Sequence, residues 1–257
     1  LFGSGSLTGT VRYVTNPPQL NLKKAFAELS LTGVDGGNAG LNGKFGFNAP
    51  LGDKAAVRVV SYYDRMAGFI DAVQPDLSVR ENVNDGLRTG FRAAARIMPT
   101  PRLAITPRIA YQHVGMDGWN RVDGYNILAN RFTTTRPAVT LGGRSQFTQL
   151  TEEFTDDFVL GDVNLEYSLG NDLRLTSITS YTHRDLLVIR DAGALTSSVT
   201  GGSLGLDERI YTLDSPLNDA TTARVWTQEV RVAGGRTRAP WVAGAFYSRT
   251  DRDYGQQ

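Results

Sequence analysis

Alternation of apolar and polar residues at period two is the feature that most limits what this chain can fold into. It is clearest in three windows, where one face carries Leu103, Ile105, Ile109 and Tyr111, then Val163, Leu165 and Tyr167, then Trp226, Val230 and Val232. The opposite face carries Thr106, Arg108 and Gln112, then Asn164 and Glu166, then Thr227, Glu229 and Arg231. Such alternation is typical of strands with two different faces, and helical periodicity is absent. The sequence therefore predicts an all-β protein.

The links between the predicted strands alternate between short and long. We predict strands at about 8–15, 23–34, 39–49, 54–66, 87–98, 102–113, 153–168, 173–185, 221–233 and 240–253. Short links (APLGDK, MPTPR, SLGND and GGRTRAP) alternate with long ones around 67–86, 114–152 and 186–220. Tight turns at one end and long loops at the other are typical of an antiparallel transmembrane β-barrel. Pro107 removes a ladder hydrogen bond and predicts a bulge or local break.

Composition narrows the possible partners and compartments. The chain has 257 residues, a net charge of +1 and no cysteine. The balanced charge predicts no nucleic-acid partner, and the lack of cysteine excludes disulfides and thiolate catalysis. No run approaches the ~20 apolar residues of a membrane-spanning helix. Leu1 does not begin a signal peptide, so we expect the chain to be a piece of a longer protein.

The glycine-rich opening, LFGSGSLTGTVRYVTNPP, does not predict a phosphate-binding loop. Such a loop normally opens a helix, whereas strand-forming residues and Pro17-Pro18 follow here. The stretch instead resembles the end of the plug domain of TonB-dependent outer-membrane receptors. The segments AELSLTGVDGGNAGLNGKFGFNAPLGDKAAVRVVSYYDRMAGFI, LRLTSITSYTHRD and WTQEVRVAGG…PWVAGAFYSRTDRDY look like barrel strands of that family.

The resemblance implies that residues 1–20 are the C-terminal end of a plug and 21–257 the N-terminal part of a barrel. Family barrels have about 22 strands, so about nine strands here would form a partial barrel that cannot close. The implied function is active transport across the outer membrane of a Gram-negative bacterium. The cargo would be a scarce nutrient, most simply a ferric siderophore, and the partners would be the TonB energy-transducing complex and membrane lipid. Arg12, Glu229 and Arg231 would lie at plug–barrel contacts.

The segment MDGWNRVDGYNILANRF contains the candidate ligand-binding residues. Trp119, Arg121, Tyr125 and Arg131 suit a site that stacks flat rings and pairs with acidic oxygens. Alternatively, these loop aromatics pack only against neighbouring loops.

Other polar residues predict little chemistry. His113 and His183 are expected at surface or rim positions, with ligand or metal contact as the alternative. Glu152-Glu153 and Asp156-Asp157 suit either a Ca²⁺ site or a solvated loop base. Ser180, His183 and Asp185 are close in sequence, but alternation along one strand prevents all three from converging. We therefore expect neither an enzyme nor a cofactor.

Two other classes of protein remain open. A passive porin or an outer-membrane adhesin would use the same strands, with the long loops as a constriction or binding surface. A soluble β-sandwich module is disfavoured because its outward faces would not carry apolar bands.

Overall fold

The predicted long strands from residue 24 onward are present. The computed structural model describes residues 14–123, 141–170, 172–193, 213–235 and 239–257, and its elements within those ranges are twelve β-strands. They are β1 (Lys24–Gly33), β2 (Ala39–Pro50), β3 (Ala55–Met66), β4 (Asp71–Val73), β5 (Val79–Arg80), β6 (Gly86–Thr100), β7 (Leu103–Met116), β8 (Ser145–Phe147), β9 (Glu153–Gly170), β10 (Leu173–Asp191), β11 (Pro216–Gly234) and β12 (Trp241–Gln256). Most of the strand predicted at 8–15 lies outside the described residues.

Nine of these strands form one antiparallel sheet, which confirms the all-β prediction. Their order is β1-β2-β3-β6-β7-β9-β10-β11-β12, so each strand pairs with its sequence neighbours among the nine. Short turns join them at one end, where Gly52 and Gly170 adopt φ of +80° and +85°, values that L side chains rarely adopt. The long links lie at the other end. β1 and β12 are the two edges among the described strands, so this sheet is not closed into a barrel.

The register assembles one apolar face. Leu103 pairs with Tyr167 and Ile105 with Leu165, and directly paired residues project to the same side of an antiparallel sheet. This side, called the apolar face, carries most of the exposed large hydrophobic side chains of the strands: Leu29, Leu31, Phe45, Tyr63, Phe91, Ile97, Ile109, Val163, Leu165, Tyr167, Leu169, Tyr181, Trp226, Val230, Trp241 and Tyr247.

The opposite face is curved and carries most of the charged side chains of the strands among apolar ones, and is called the concave face. One cavity of about 1100 Å³ is bounded by Phe26 on β1 and also by Arg184 on β10, which requires the sheet between them to bend. The segment 14–22 borders the same cavity. It is tied to β2 by Asn48, whose side chain is buried, accepts from the Gln19 backbone N–H at 2.9 Å and donates to the Gln19 carbonyl at 2.9 Å.

The predicted sides of Glu229 and Arg231 agree with the register. Glu229 pairs with Ile178 and Arg231 with Thr176, which share a side of β10 with Arg184, so both charges lie on the concave face. Arg231 Nη1 donates to Glu229 Oε1 at 3.1 Å. Val230 and Val232 alternate with them and lie on the apolar face.

Pro107 interrupts one of its two ladders. Pairing of β6 with β7 runs to Ala94 and Arg108, then resumes at Ile97 and Ile105 with a register shift beyond Ile97. On the other side Pro107 pairs in register with Val163 of β9. The predicted local break is therefore confined to the β6 side.

The described parts of the long links contain three short strands. Strands β5, β4 and β8 form a small sheet, called the loop layer, in which β4 and β8 run parallel. Ile70, Ala72 and Val83 are buried in it and pack with Phe69. These apolar residues are isolated in the sequence, and they become buried because the link folds back on itself.

Among the described residues, no helix has the length and apolar character needed to cross a membrane.

Candidate ligand-binding site

Trp119 lies just after β7, at the long-link end of the concave face. A Cβ at the preceding Gly118 would lie 2.5 Å from the Val83 carbonyl oxygen, so glycine allows the loop to pass close to the loop layer. The Trp119 ring meets the Phe154 ring edge-on, with centroids 5.6 Å apart and an interplanar angle of 73°. The Arg190 guanidinium lies 5.9 Å from the Trp119 ring centroid. These contacts fix an aromatic surface with a cation beside it.

Arg121 is held by the loop that precedes β9. Its Nη1 donates to Glu152 Oε1 at 3.0 Å, and its Nε lies 3.8 Å from Asp123 Oδ1. Glu152 is only 3% exposed and also accepts from the Asp191 backbone N–H. A buried carboxylate needs hydrogen-bond donors or a counter-charge, and Glu152 receives both from these contacts. The same contact holds the Arg121 side chain in place and neutralises its charge.

Trp119 and Arg121 border one cavity of about 670 Å³. Its walls come from strands β3, β6, β7, β9 and β10 and from the loop after β7: Met66, Arg88, Gln112, Val114, Met116, Gly118, Trp119, Asn120, Arg121, Phe154 and Arg190. Each of its arginines also holds a carboxylate, with Arg88 2.7 Å from Asp64 and Arg190 2.8 Å from Asp219. The cavity therefore offers apolar walls, one aromatic surface and guanidinium N–H donors with fixed positions. Such a set suits a flat ligand that carries hydrogen-bond acceptors.

The loop layer supports this cavity through Asn84. Its buried side-chain oxygen accepts from the Phe69 and Ile70 backbone N–H groups at 2.7 and 2.8 Å, and its amide donates to Asn120 at 2.6 Å. Nearby, burial and then the negative charge of Asp117 raise the pKa of the Asp85 carboxyl. The position of the cavity wall therefore depends on how the links fold.

The structure brings together only part of the predicted site. Trp119 and Arg121 line the cavity, whereas Tyr125, Arg131 and Arg12 lie outside the described residues. The Trp119 ring packs on Phe154, which belongs to strand β9 and not to a neighbouring loop.

Sequence reasoning missed most of the cavity wall. Phe154 pairs with Met116 and also with Val188, which places these three strands side by side at the long-link end. Arg190 follows Val188 at period two, and this alternation would have placed it on the same face. The register, which decides which residues of neighbouring strands lie side by side, has no local signal in the sequence.

The other predicted polar residues are divided between the two faces. His113 and His183 contact Asp157 and Asp185 at 3.0 and 2.8 Å on the apolar face, at the surface. Ser180 lies on the concave face and contacts Thr227, so it does not meet His183.

Each acidic pair has one buried member and one more exposed member. Glu152 and Asp156 are buried, and Asp156 accepts two hydrogen bonds from Arg184 at 2.7 and 2.6 Å. Glu153 and Asp157 are the more exposed members, so only half of each pair is withdrawn from solvent. The described part of the chain contains no group of three or more metal-ligating side chains.

Comparison with protein-family models, with curated proteins and with solved structures finds no match for this chain. The features that bear on function are therefore its sequence motifs, the two faces of its sheet and the cavity beside Trp119.

Proposed function

We propose that this chain is part of a TonB-dependent receptor in the outer membrane of a Gram-negative bacterium. In this proposal the sheet is a partial barrel, the apolar face contacts lipid and the cavity beside Trp119 captures a scarce nutrient, most simply a ferric siderophore. The energy-transducing TonB complex would drive transport through a plug that lies on the concave face.

The apolar band on the exposed side of the sheet carries the proposal. On β9 the apolar face runs from Val159 through Val163 and Leu165 to Leu169 without a charged residue. Ten residue steps of about 3.3 Å give about 33 Å along the strand, or about 25 Å across a membrane when the strand is tilted by about 40°. A continuous apolar surface of this size is rare on soluble proteins and matches the height of the lipid-facing band of outer-membrane barrels.

The band has a charged boundary on the long-link side. His113 with Asp157, and His183 with Asp185, lie directly beyond it on neighbouring strands. Aromatic residues precede this boundary, with Tyr111 on β7 and Tyr181 on β10. An aromatic belt followed by ionisable side chains fits the interface between lipid and water.

The concave side fits a lumen. It carries most of the charged side chains of the strands, and the segment 14–22 that precedes β1 borders it at the short-turn end. That position fits a chain leaving a plug and entering the first barrel strand. The edges at β1 and β12 fit a sheet that is completed by further strands.

Uptake measurements in a deletion strain test this function. The strain carries the full-length protein or no copy, and radioactive iron is supplied on a panel of siderophores with and without a protonophore. We expect one siderophore to be bound in both conditions and taken up only without the protonophore. Uptake that persists with the protonophore would indicate a passive pore. If growth and uptake were the same with and without the protein on every iron source, the proposal that it transports a siderophore would be refuted.

A matched pair of variants tests the capture site. Trp119→Ala removes the aromatic surface and should weaken siderophore binding about tenfold, because stacking and cation–π contacts are lost together. Trp241→Ala removes the same side chain from the apolar face and should leave binding unchanged. Equal effects of both variants would exclude a specific role for Trp119.

A further inference from the structure

Three arginines converge on the concave face around a small residue. Ala94 of β6 pairs with Arg58 on β3, and on its other side with Arg108 on β7. Arg92 precedes Ala94 by two residues on the same strand and therefore projects to the same side. Ala94 itself is buried, 5% exposed, so the three long side chains surround it.

The positive charges here outnumber their described partners. Lys44 pairs with Glu28 at 3.2 Å, Arg184 with Asp156 at 2.6 Å and Arg108 with Asp162 at 2.7 Å. Lys44 and Arg184 line the cavity of about 1100 Å³, whereas Arg108 lies outside its lining. Lys24, Arg58 and Arg92 line it as well, and none of these three has an ion pair among the described residues.

Such an excess is unfavourable without a counter-charge. Cations held together on a wall of low dielectric constant repel one another more strongly than they would in water, and a concave surface concentrates their field. Two of these cations border the same aromatic ring, since the Phe26 centroid lies 5.7 Å from Lys44 Nζ and 5.8 Å from the Arg58 guanidinium carbon. A bound anion would relieve this repulsion.

We propose that this cluster is a binding site for the oxyanion groups, carboxylate or phosphate, of a small soluble ligand. Guanidinium groups bind such oxygens in a bidentate geometry, and the cavity has room for a ligand with several of them. The site is distinct from the cavity beside Trp119, with which it shares only Gln112 among the lining residues described. It does not use Trp119, and it requires that a plug on the concave face leave this part of the wall open to the ligand.

Titration calorimetry on the purified full-length protein in detergent tests the site. The probes are inorganic pyrophosphate and citrate at low ionic strength, where exposed charges are screened least. We expect saturable binding, weakened about tenfold by Arg58→Gln and by Arg92→Gln, since each removes one charge-assisted contact. Arg174→Gln is the matched control, because it removes the same charge from the concave face near a short turn. Trp119→Ala should also leave the binding unchanged.

The alternative outcomes are separable. Absence of saturable binding to the wild-type protein overturns the proposal, as does equal weakening by all three arginine variants, which would indicate a diffuse field. If the wild type binds no probe while Arg92→Gln lowers the thermal midpoint without added anion, the partner is a carboxylate of the protein itself. That result would also make the small-ligand assignment wrong.

Discussion

At the scale of single residues, charged partners are often two positions apart on one strand. Arg231 with Glu229, His183 with Asp185 and Arg249 with Asp251 all contact one another in this way. Residues i and i+2 project to the same side of a strand, so the pairing follows from backbone geometry. Because these pairs are partly exposed, water and salt weaken them, and each adds little stability.

Glu229 is expected to matter for transport more than for stability. In the full-length protein, Glu229→Ala should lower the free energy of unfolding by less than about 1 kcal/mol, since the pair with Arg231 is partly solvated. If Glu229 also holds the plug, uptake should fall several-fold while ligand binding is retained. Binding and uptake by whole cells measure the two effects.

Glu166→Ala is the control for Glu229, because it removes another carboxylate from the concave face. It should leave uptake near the wild-type level. Wild-type binding and uptake in Glu229→Ala would show that the carboxylate belongs to a solvated wall and has no role in holding the plug.

At the scale of elements, the loop layer depends on close approach of backbone segments. A Cβ at Gly68 would lie 2.3 Å from the Asn82 carbonyl oxygen, and one at Gly118 would lie 2.5 Å from that of Val83. Both glycines let two links pack against each other. The layer in turn places Asn84 and Asn120 beside the ligand cavity.

Gly68→Ala should open the loop layer. The new methyl group meets backbone that cannot rotate away, and such overpacking costs about 1 to 3 kcal/mol. Hydrogen exchange should become faster at the amides of 69–73 and 82–84. Gly161→Ala is the control, since a Cβ added at Gly161 would meet nothing within 4 Å. Equal exchange in the two variants would contradict this account of the layer.

The loop layer should lose stability as pH rises. The folded-state pKa of Asp85 is raised, first by burial and then by Asp117, above its unfolded value of about 3.9. The protonated form is therefore favoured by folding. The stability that Asp85 contributes is fully present below its pKa in the unfolded state. It is lost as pH rises through its pKa in the folded state.

The effect of Asp85 is measured by amide hydrogen exchange in the loop layer between the unfolded-state and folded-state pKa values of Asp85. The exchange rates are corrected for their intrinsic dependence on pH. Other carboxylates change stability in the same range, so the informative quantity is the difference between the wild type and Asp85→Asn. In Asp85→Asn, the stability of the loop layer should fall less steeply with pH than in the wild type. Parallel profiles for the two proteins would exclude Asp85 as its source.

At the scale of the whole molecule, the two faces should differ in access to water. The chain has no cysteine, so a single introduced thiol reports one position. In isolated outer membranes, Asn164→Cys should react with a charged, membrane-impermeant thiol reagent, because it lies on the concave face. Val163→Cys and Leu165→Cys should react much more slowly if lipid covers the apolar face, as the proposed function requires. Uniform labelling of all three would rule out a lipid-facing band.

The strands and their faces were determined by the sequence itself. Period-two alternation predicted the long strands from residue 24 onward and the division between Val163, Leu165 and Tyr167 on one face and Asn164 and Glu166 on the other. Alternation is a property of the extended backbone and needs no knowledge of distant contacts. Short and long links also predicted which end of the sheet carries the loops.

The candidate sites were decided only by the tertiary structure. The cavity beside Trp119 combines Met66, Phe154 and Arg190, and the basic cluster combines Arg58, Arg92 and Arg108 across three strands. Which of these side chains meet depends on the register between strands and on the curvature of the sheet. The loop layer likewise formed from links that look polar, because its few apolar residues gain burial only when distant parts of the chain are brought together.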